Sequence, residues 1–338
     1  MNTVAEILNA KKCGDLFEND ITEIKAEYRR LAKQYHPDVF KEEIAHTVIT
    51  KLNLLYTEAL TSIEEGTWKA NNKIFITSIN GKKIAFKYLS EKSFELGKFY
   101  IGNKHIIYLL NKEHKKFYDN AILQIGNLTY KNDDMKKEFS RYFPKIEDKF
   151  QTDQSQWCLV LSKTEDEFLL EDLLLQQNGK FNEKHVAWVI SRLSNIACYL
   201  QYKGIVHNGI SLNNCFVSPK FHSISLFGGW WYATKEKQKM IGTQKAIFDL
   251  MPLKDKYEKI ANSRTDLECI KFIAKQLLND KTLIKSKEMP IEFINWIKKG
   301  SSDDAVTEFK EWSKALDKAW GKRVFVILDV NANDIYKI

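Results

Sequence analysis

A short run of side chains suited to recognition, His36-Pro37-Asp38, lies near the N-terminus. It directly follows a segment in which four basic residues recur at helical spacing: Lys25, Arg29, Arg30 and Lys33. Residues four apart share one face of a helix, so these cations should form a basic ridge. Proline fixes its own backbone, so both of its neighbours should project from the loop. A carboxylate presented in this way favours a directional, charge-assisted contact with a partner.

The elements that must position these residues are helical. Within residues 1–65, the apolar residues from Ile21 to Tyr35 recur with a period of 3.6 and predict a helix that ends at Pro37. Asp20 with Glu23 resembles a capping box at its start. A third helix is predicted from roughly Glu42 to Ile63. Its apolar face is formed by Val48, Leu52, Leu55 and Ala59.

The segment from Ile24 to Asp38 resembles the second helix and loop of J-domains, with Leu52-Asn53 and Tyr56 at familiar positions in the third helix. It departs from them in a short segment carrying Glu42-Glu43 and in having no evident fourth helix. The resemblance implies that the basic ridge meets an acidic surface on a DnaK-type chaperone. Asp38 would then engage an arginine that couples the chaperone's linker to ATP hydrolysis.

Beyond a polar linker at 66–72, the pattern changes to strands and helices. Asn80-Gly81 and Gly102-Asn103 each stand between two apolar runs, which predicts two β-hairpins. The remaining predicted elements are helices at Tyr118–Leu128, Asp133–Phe143 and Glu183–Gln201, a buried strand at Trp157–Ser162, and a strand pair near Cys215–Leu226.

The stretch from Gly204 to Val217 resembles the catalytic loop of protein kinases. His207 and Asn214 match the histidine and the asparagine of that loop, whereas Gly209 and Ser211 stand in place of its aspartate and lysine. Where kinases have a Mg²⁺-binding Asp-Phe-Gly, this sequence has Leu226-Phe227-Gly228. Asp266 begins a segment similar to the helix that anchors the lower lobe of kinases, and this resemblance implies that Asp266 hydrogen-bonds the loop backbone. Phosphoryl transfer needs a base and metal-binding carboxylates, so the resemblance implies a pseudokinase without metal or cofactor.

Other kinase positions are less well matched. Ile84-Ala85-Phe86-Lys87 is similar to the lysine motif of the upper lobe, but it precedes the Gly97–Gly102 hairpin, which favours a chance match. Glu138, in the predicted helix Asp133–Phe143, is the candidate for the regulatory-helix glutamate. Substitute carboxylates are Asp249, Glu171 and Asp172, none of which stands at a matching position.

Composition sets the remaining limits. The five cysteines form no CxxC pair, which favours a reducing, cytoplasmic location, and the histidines show no metal-ligand spacing. The start lacks the pattern of a signal peptide, and no apolar run is long enough to cross a membrane. The net charge of +8 divides into −4 for residues 1–65 (8 Lys+Arg, 12 Asp+Glu) and +12 for the remainder (44 against 32). This asymmetry indicates a solvated lysine-rich surface or an acidic partner, nucleic acid included.

The sequence thus predicts an all-α J-domain at 1–65 followed by a bilobal, kinase-like α+β domain at 73–338, with its N-lobe at about 73–162 and its C-lobe at about 163–338. The predicted function is that of a co-chaperone for a DnaK-type chaperone, with the degenerate domain binding a client or other partner. The alternatives are an atypical kinase-fold enzyme with relocated catalytic residues, a nucleotide-binding regulator, and an unrelated α+β domain.

Overall fold

The computed structural model describes residues 3–17, 21–65, 72–284, 289–321 and 326–336. The chain divides into two compact units, Met1–Ser90 and Glu91–Ile338. The division therefore falls later than the predicted linker at 66–72, of which only Asn72 is described. The predicted cap residue Asp20 also lies outside the described residues.

Three helices begin the first unit: α1 (Val4–Asn9), α2 (Ile21–Gln34) and α3 (Ala45–Glu64). Their inward faces carry the apolar residues whose spacing predicted helices. Ile24 and Leu31 of α2 and Leu52 of α3 are fully buried in one apolar cluster. Because residues three or four apart lie on one side of a helix, this spacing leaves the opposite side of α2 to charged residues. The amphipathic prediction for both helices is confirmed.

A two-stranded antiparallel hairpin, β1 (Lys73–Thr77) and β2 (Lys83–Lys87), completes the first unit. Gly81 adopts φ +82°, a conformation that favours a residue without a Cβ, and its N–H donates to the Ser78 carbonyl oxygen at 2.8 Å. Ile79 lies in the turn and is 64% exposed. β2 pairs with β1 in a separate two-stranded sheet, which favours the prediction that the resemblance of Ile84–Lys87 to a kinase lysine motif is a chance match.

The second unit begins with a five-stranded antiparallel sheet. Its strands are β3 (Ser90–Phe94), β4 (Gly97–Ile101), β5 (His105–Leu110), β6 (Lys145–Gln151) and β7 (Trp157–Ser162), in the order β3-β4-β5-β7-β6. The predicted turn at Gly102-Asn103 joins β4 to β5. Gly97 starts β4 so close to β5 that a Cβ there would lie 2.0 Å from the carbonyl oxygen of Leu109. A side chain at this position would disrupt the pairing.

Helices and short strands make up the rest of the second unit. The helices are α4 (Lys115–Gly126), α5 (Asp133–Phe139), α6 (Leu170–Gln176), α7 (Glu183–Tyr202), α8 (Lys245–Leu250), α9 (Leu253–Glu258), α10 (Ser263–Leu277), α11 (Ile291–Lys298), α12 (Ala305–Trp320) and α13 (Ala332–Tyr336). The strands are β8 (Phe168–Leu169), β9 (Ile205–Val206), β10 (Cys215–Ser218), β11 (Ser223–Leu226) and β12 (Thr234–Lys235). The long helix, α7, and the β10–β11 pair agree with the sequence prediction.

One apolar core holds the second unit together. It includes the fully buried indoles of Trp230, Trp231 and Trp312 together with the inward faces of α7 and α10. In the described part of the chain, no helix combines the length and the apolar character that crossing a membrane would require. The predicted order of strand, long helix, loop, strand pair and Asp266 helix is present in the second unit.

Candidate functional site

The loop after α2 is closed by its own hydrogen bonds. The backbone N–H groups of Val39 and Phe40 donate to the carbonyl oxygen of His36 at 2.9 and 2.8 Å. The ring of Phe40 meets that of Tyr35 edge-on, with centroids 5.4 Å apart. The loop is thus anchored at both ends to the helical core, although its central residues are turned outward.

His36 and Asp38 are the residues that this loop presents. Their side chains are 53% and 85% exposed, and His36 Nδ1 lies 3.4 Å from Asp38 Oδ2. The N–H of Asp38 also lies 3.2 Å from His36 Nδ1, to which it donates a hydrogen bond. Pro37 is half-buried between them. A carboxylate so exposed is available to an incoming cation.

The basic ridge lies on the outer side of α2. Its four side chains, Lys25, Arg29, Arg30 and Lys33, are all exposed. Arg30 is the member held in place, because it lies 3.6 Å from Glu27 and donates to Gln34 at 3.4 Å. The predicted ridge and the predicted loop therefore belong to one connected surface, since Lys33 stands one helical turn before the loop.

Aromatic contacts fix α2 against α3. The ring of Tyr28 stacks on that of Tyr56 with centroids 3.8 Å apart, and its hydroxyl donates to Asn53 Oδ1 at 2.9 Å. Asn53 and Tyr56 are the third-helix residues that the sequence singled out. Their role is to hold the two helices in register, which positions the ridge and the loop.

The second predicted site surrounds the loop after β9. Asp266, at the start of α10, is 2% exposed and accepts hydrogen bonds from the N–H groups of His207 (2.7 Å) and Asn208 (3.0 Å). These are the contacts expected of it from the sequence. Burial raises the pKa of the Asp266 carboxyl to about 7, against the opposing effect of the two N–H donors.

His207 is fully buried and packs edge-on against Trp230, with ring centroids 4.9 Å apart. Burial lowers the pKa of its imidazole to about 3, so the ring is neutral at physiological pH. The next residue, Asn208, adopts the left-handed conformation with φ +55°. Its amide nitrogen donates to the carbonyl oxygens of Val206 and Tyr232, which holds this strained turn in place.

Asn214 serves the loop as a structural clamp. Its side-chain nitrogen donates to the carbonyl oxygen of Gly209 at 2.7 Å, and its own carbonyl oxygen accepts from the N–H groups of Phe227 and Gly228, each at 3.1 Å. The side-chain nitrogen of Asn214 is therefore engaged with the backbone, whereas a metal ion would be bound through its Oδ1. Ser211, at the former lysine position, has a buried hydroxyl without a hydrogen-bond partner.

Neither Gly209 nor Leu226, which stand where the kinase pattern has carboxylates, borders an open space. A Cβ on Gly209 would lie 3.1 Å from both the Cα and the carbonyl oxygen of Gly229, which is tighter than ordinary contact. Leu226 is fully buried in β11, opposite Cys215. Gly209 and Leu226 are both closely packed, so an aspartate at either position would have to displace its neighbours.

Aromatic rings fill the space between the sheet and Gly228. Tyr108 of β5 stacks on Phe99 at 5.2 Å and meets Trp231 at 5.1 Å, while Phe94 of β3 lies 4.9 Å from Trp231. A Cβ on Gly228 would come within 2.9 Å of the Tyr108 hydroxyl. Sequence reasoning missed this cluster, because its members are far apart in the chain and lie in ordinary apolar runs.

The helix that supports the segment after Gly229 is α4, and the prediction for Glu138 is wrong. Asn120 of α4 donates to the carbonyl oxygens of Trp231 (3.1 Å) and Ala233 (2.9 Å). Glu138 instead lies at the end of α5 and pairs with Arg141 at 2.9 Å, with both side chains about half exposed. A carboxylate neutralised at the surface cannot orient groups in the core.

Of the three candidate substitute carboxylates, Glu171 is the one next to the loop, because its N–H donates to the Leu212 carbonyl oxygen at 3.3 Å. Asp172 is buried at the start of α6 and forms an ion pair with Lys92 of β3, and Glu171 lies 3.6 Å from the same Lys92 nitrogen. Burial raises the pKa of the Asp172 carboxyl. Asp249 is exposed in α8. Throughout the described ranges, no group of three or more His, Cys, Asp or Glu side chains is arranged to hold a metal ion.

Kinases are among the known proteins to which this chain is similar. Over 76 residues, 22% of this chain, the sequence is 34% identical to serine/threonine-protein kinase 33 of Bos taurus, and it spans 15% of that protein's length. The alignment with the structure of vaccinia related kinase 3 covers 75% of this chain and 93% of the kinase chain, at a TM-score of 0.48 and 15% identity. None of the protein-family models matches the chain.

Proposed function

We propose that the chain is a co-chaperone whose helical N-terminal unit is a J-domain that docks onto a DnaK-type chaperone and stimulates its ATPase. The observation that carries the proposal is the exposed His36-Pro37-Asp38 loop at the end of a helix with a basic outer face. The ridge provides attraction to an acidic surface, and Asp38 provides a directional contact with an arginine. The chain would act by shifting its partner toward the hydrolysis-competent state.

The kinase-like unit, on this proposal, is a scaffold that binds a client or another partner. Two features support a non-enzymatic role: the aromatic cluster at Phe94, Phe99, Tyr108 and Trp231, and the presence of Gly209 and Leu226 where an active kinase has carboxylates. Free cysteines that are mostly buried favour a reducing compartment such as the cytoplasm.

Reversing two charges of the basic ridge tests the docking. The double variant Arg29→Glu/Lys33→Glu is expected to bind the chaperone about tenfold more weakly, a loss of about 1.4 kcal/mol. Binding of the parent should also weaken with added salt, because exposed charges are screened beyond about 8 Å at physiological ionic strength. Surface plasmon resonance over a salt series measures both effects.

The matched control for the ridge is Lys11→Glu/Lys12→Glu, which changes the charge of the same unit by the same amount at two exposed lysines outside α2. Its affinity should remain close to that of the parent. Equal weakening by both double variants would mean that net charge, not the ridge, controls binding.

A second expectation concerns phosphotransfer. With radiolabelled ATP and either Mg²⁺ or Mn²⁺, we expect no label in the protein, because Gly209 supplies no base and Leu226 supplies no metal ligand. Nucleotide affinity should be no tighter than roughly millimolar, about −4 kcal/mol. If the parent incorporates label and the Asn214→Ala variant does not, the protein has a working kinase site instead.

A further inference from the structure

Helix α9 (Leu253–Glu258) places its apolar residues outward. Tyr257 and Leu253 are 92% and 83% exposed, and they are the two most exposed large apolar side chains among the described residues. They stand four residues apart, so they lie on one face of the helix. Asp255 is 8% exposed and points inward, and burial raises the pKa of its carboxyl. This helix therefore reverses the usual distribution of polar and apolar residues in a globular protein.

Lysines surround this apolar pair. The chain from Lys235 to Lys259 contains seven lysines and four acidic residues, of which Asp255 is buried. Backbone hydrogen bonds bring two separate parts of the segment together: Met240 N–H donates to the Lys259 carbonyl at 2.9 Å, and Lys237 N–H donates to that of Ala261 at 2.8 Å. Exposed lysines at 237, 239 and 259 consequently gather at the C-terminal end of α9.

The neighbouring residues keep this surface in place. Lys256 Nζ donates to the carbonyl oxygen of Asp249 at 2.8 Å and lies 5.9 Å from the ring centre of Phe248, which ties α9 to α8. Lys239 and Ile260 form an antiparallel bridge beside the helix. The exposed apolar face thus belongs to a segment with backbone and side-chain restraints, and its exposure is a property of the folded unit.

We propose that the face formed by Leu253 and Tyr257, with Lys237, Lys239 and Lys259 beside it, is the docking surface for an acidic protein segment that carries large apolar side chains. The apolar side chains would cover Leu253 and Tyr257, and the acidic ones would pair with the lysines. This inference rests on the proposed scaffold role, since it names the chemistry of the partner that the kinase-like unit binds.

Protein fits this surface better than nucleic acid does. Of the two apolar residues only Tyr257 offers a ring on which a base could stack, whereas single-strand binding draws on the stacking of successive bases. A phosphate backbone is charged at every nucleotide and would be repelled by Glu236 and Glu258, whereas a peptide can place uncharged side chains opposite them. An acidic peptide can place its charges beside the lysines and its apolar groups between them.

Fluorescence anisotropy with the full-length chain tests the docking. The probe is a short fluorescein-labelled peptide of alternating Glu and Leu or Phe. The comparison probes are the same peptide with Lys in place of Glu, and a short single-stranded RNA. We expect the acidic peptide alone to bind, and Leu253→Ser/Tyr257→Ser to weaken it at least tenfold, since central apolar anchors dominate interfaces.

The control is Leu175→Ser/Phe221→Ser, which removes two side chains that are 65% and 63% exposed and lie outside the 235–261 segment. It should leave peptide affinity unchanged, and Lys237→Glu/Lys239→Glu should weaken it. Circular dichroism confirms that each variant is folded. The inference is overturned if the Leu253→Ser/Tyr257→Ser variant binds like the parent, if RNA binds in preference, or if no probe binds.

The ATPase assay separates this inference from the proposed function. Because α9 and the His36 loop belong to different units, Leu253→Ser/Tyr257→Ser should stimulate the chaperone ATPase like the parent. Stimulation without peptide binding would remove the docking surface and keep the co-chaperone function. If the parent binds the peptide but does not stimulate the ATPase, the docking surface is kept and the co-chaperone function is removed.

Discussion

Replacing Asp38 with asparagine is expected to abolish stimulation of a DnaK-type ATPase. The substitution keeps the size of the side chain and removes its charge, so it converts a charge-assisted contact into a neutral one. Hydrogen bonds to charged groups contribute about 1.5–3 kcal/mol, so coupling to the chaperone should fall roughly 10- to 100-fold. His36→Gln should act similarly, and steady-state ATP hydrolysis by the chaperone measures both.

The fold should survive either substitution, because the Asp38 side chain is 85% exposed and that of His36 is 53% exposed. Exposed substitutions of this kind usually change stability by no more than about 0.5 kcal/mol. Glu43→Gln is the matched control, since it removes one exposed carboxylate from the same connection between α2 and α3. A folded Asp38→Asn protein that stimulates like the parent would refute the assignment of this loop to chaperone coupling.

The largest effect on stability is expected from a buried ion pair in the second unit. Lys271 of α10 and Glu308 of α12 lie 2.7 Å apart, with side chains only 1% and 3% exposed. Lys271 Nζ also donates to the Lys299 carbonyl oxygen at 2.8 Å and lies 4.6 Å from the ring centre of Trp296. Removing one partner of such a pair leaves an uncompensated buried charge.

Glu308→Ala is therefore expected to lower the free energy of unfolding by about 3–5 kcal/mol. Glu311→Ala, on the same helix, is the control, because its partner Lys299 is 60% exposed and the pair should contribute no more than about 1 kcal/mol. The joint replacement Lys271→Met/Glu308→Leu should recover most of the loss, since an apolar pair needs no compensation. Denaturant unfolding of the four proteins measures these differences, and equal losses from Glu308→Ala and Glu311→Ala would contradict the account.

Local patterns predicted the elements well where the residues that define them are close in sequence. Apolar spacing placed α2, α3 and α7, and Asn80-Gly81 placed the first hairpin. Pro37 predicted the end of α2, which ends at Gln34. Helix periodicity, turn geometry and proline stereochemistry all act within a few residues, so the sequence expresses them directly.

The regulatory-helix position shows where this kind of reasoning fails. Glu138 had a suitable type and a suitable distance from the loop in sequence, but α5 ends at the surface with Glu138 paired to Arg141. The residue that supports the segment after Gly229 is Asn120, and it does so through backbone carbonyl oxygens of residues more than a hundred positions away. Every residue has a backbone carbonyl oxygen, so residue type does not reveal which of these oxygens accepts a hydrogen bond.

The sequence by itself determined which residues could do chemistry: an exposed His36 and Asp38 behind a basic helix, and a kinase-type loop without its carboxylates. Only the tertiary structure decided that Asn214 clamps Gly209, that rings from β3, β4, β5 and the segment after Gly229 fill the neighbouring space, and that α9 turns Tyr257 outward. The physical reason is that side-chain type and spacing are local properties, whereas burial and contact depend on packing between segments that are distant in the chain.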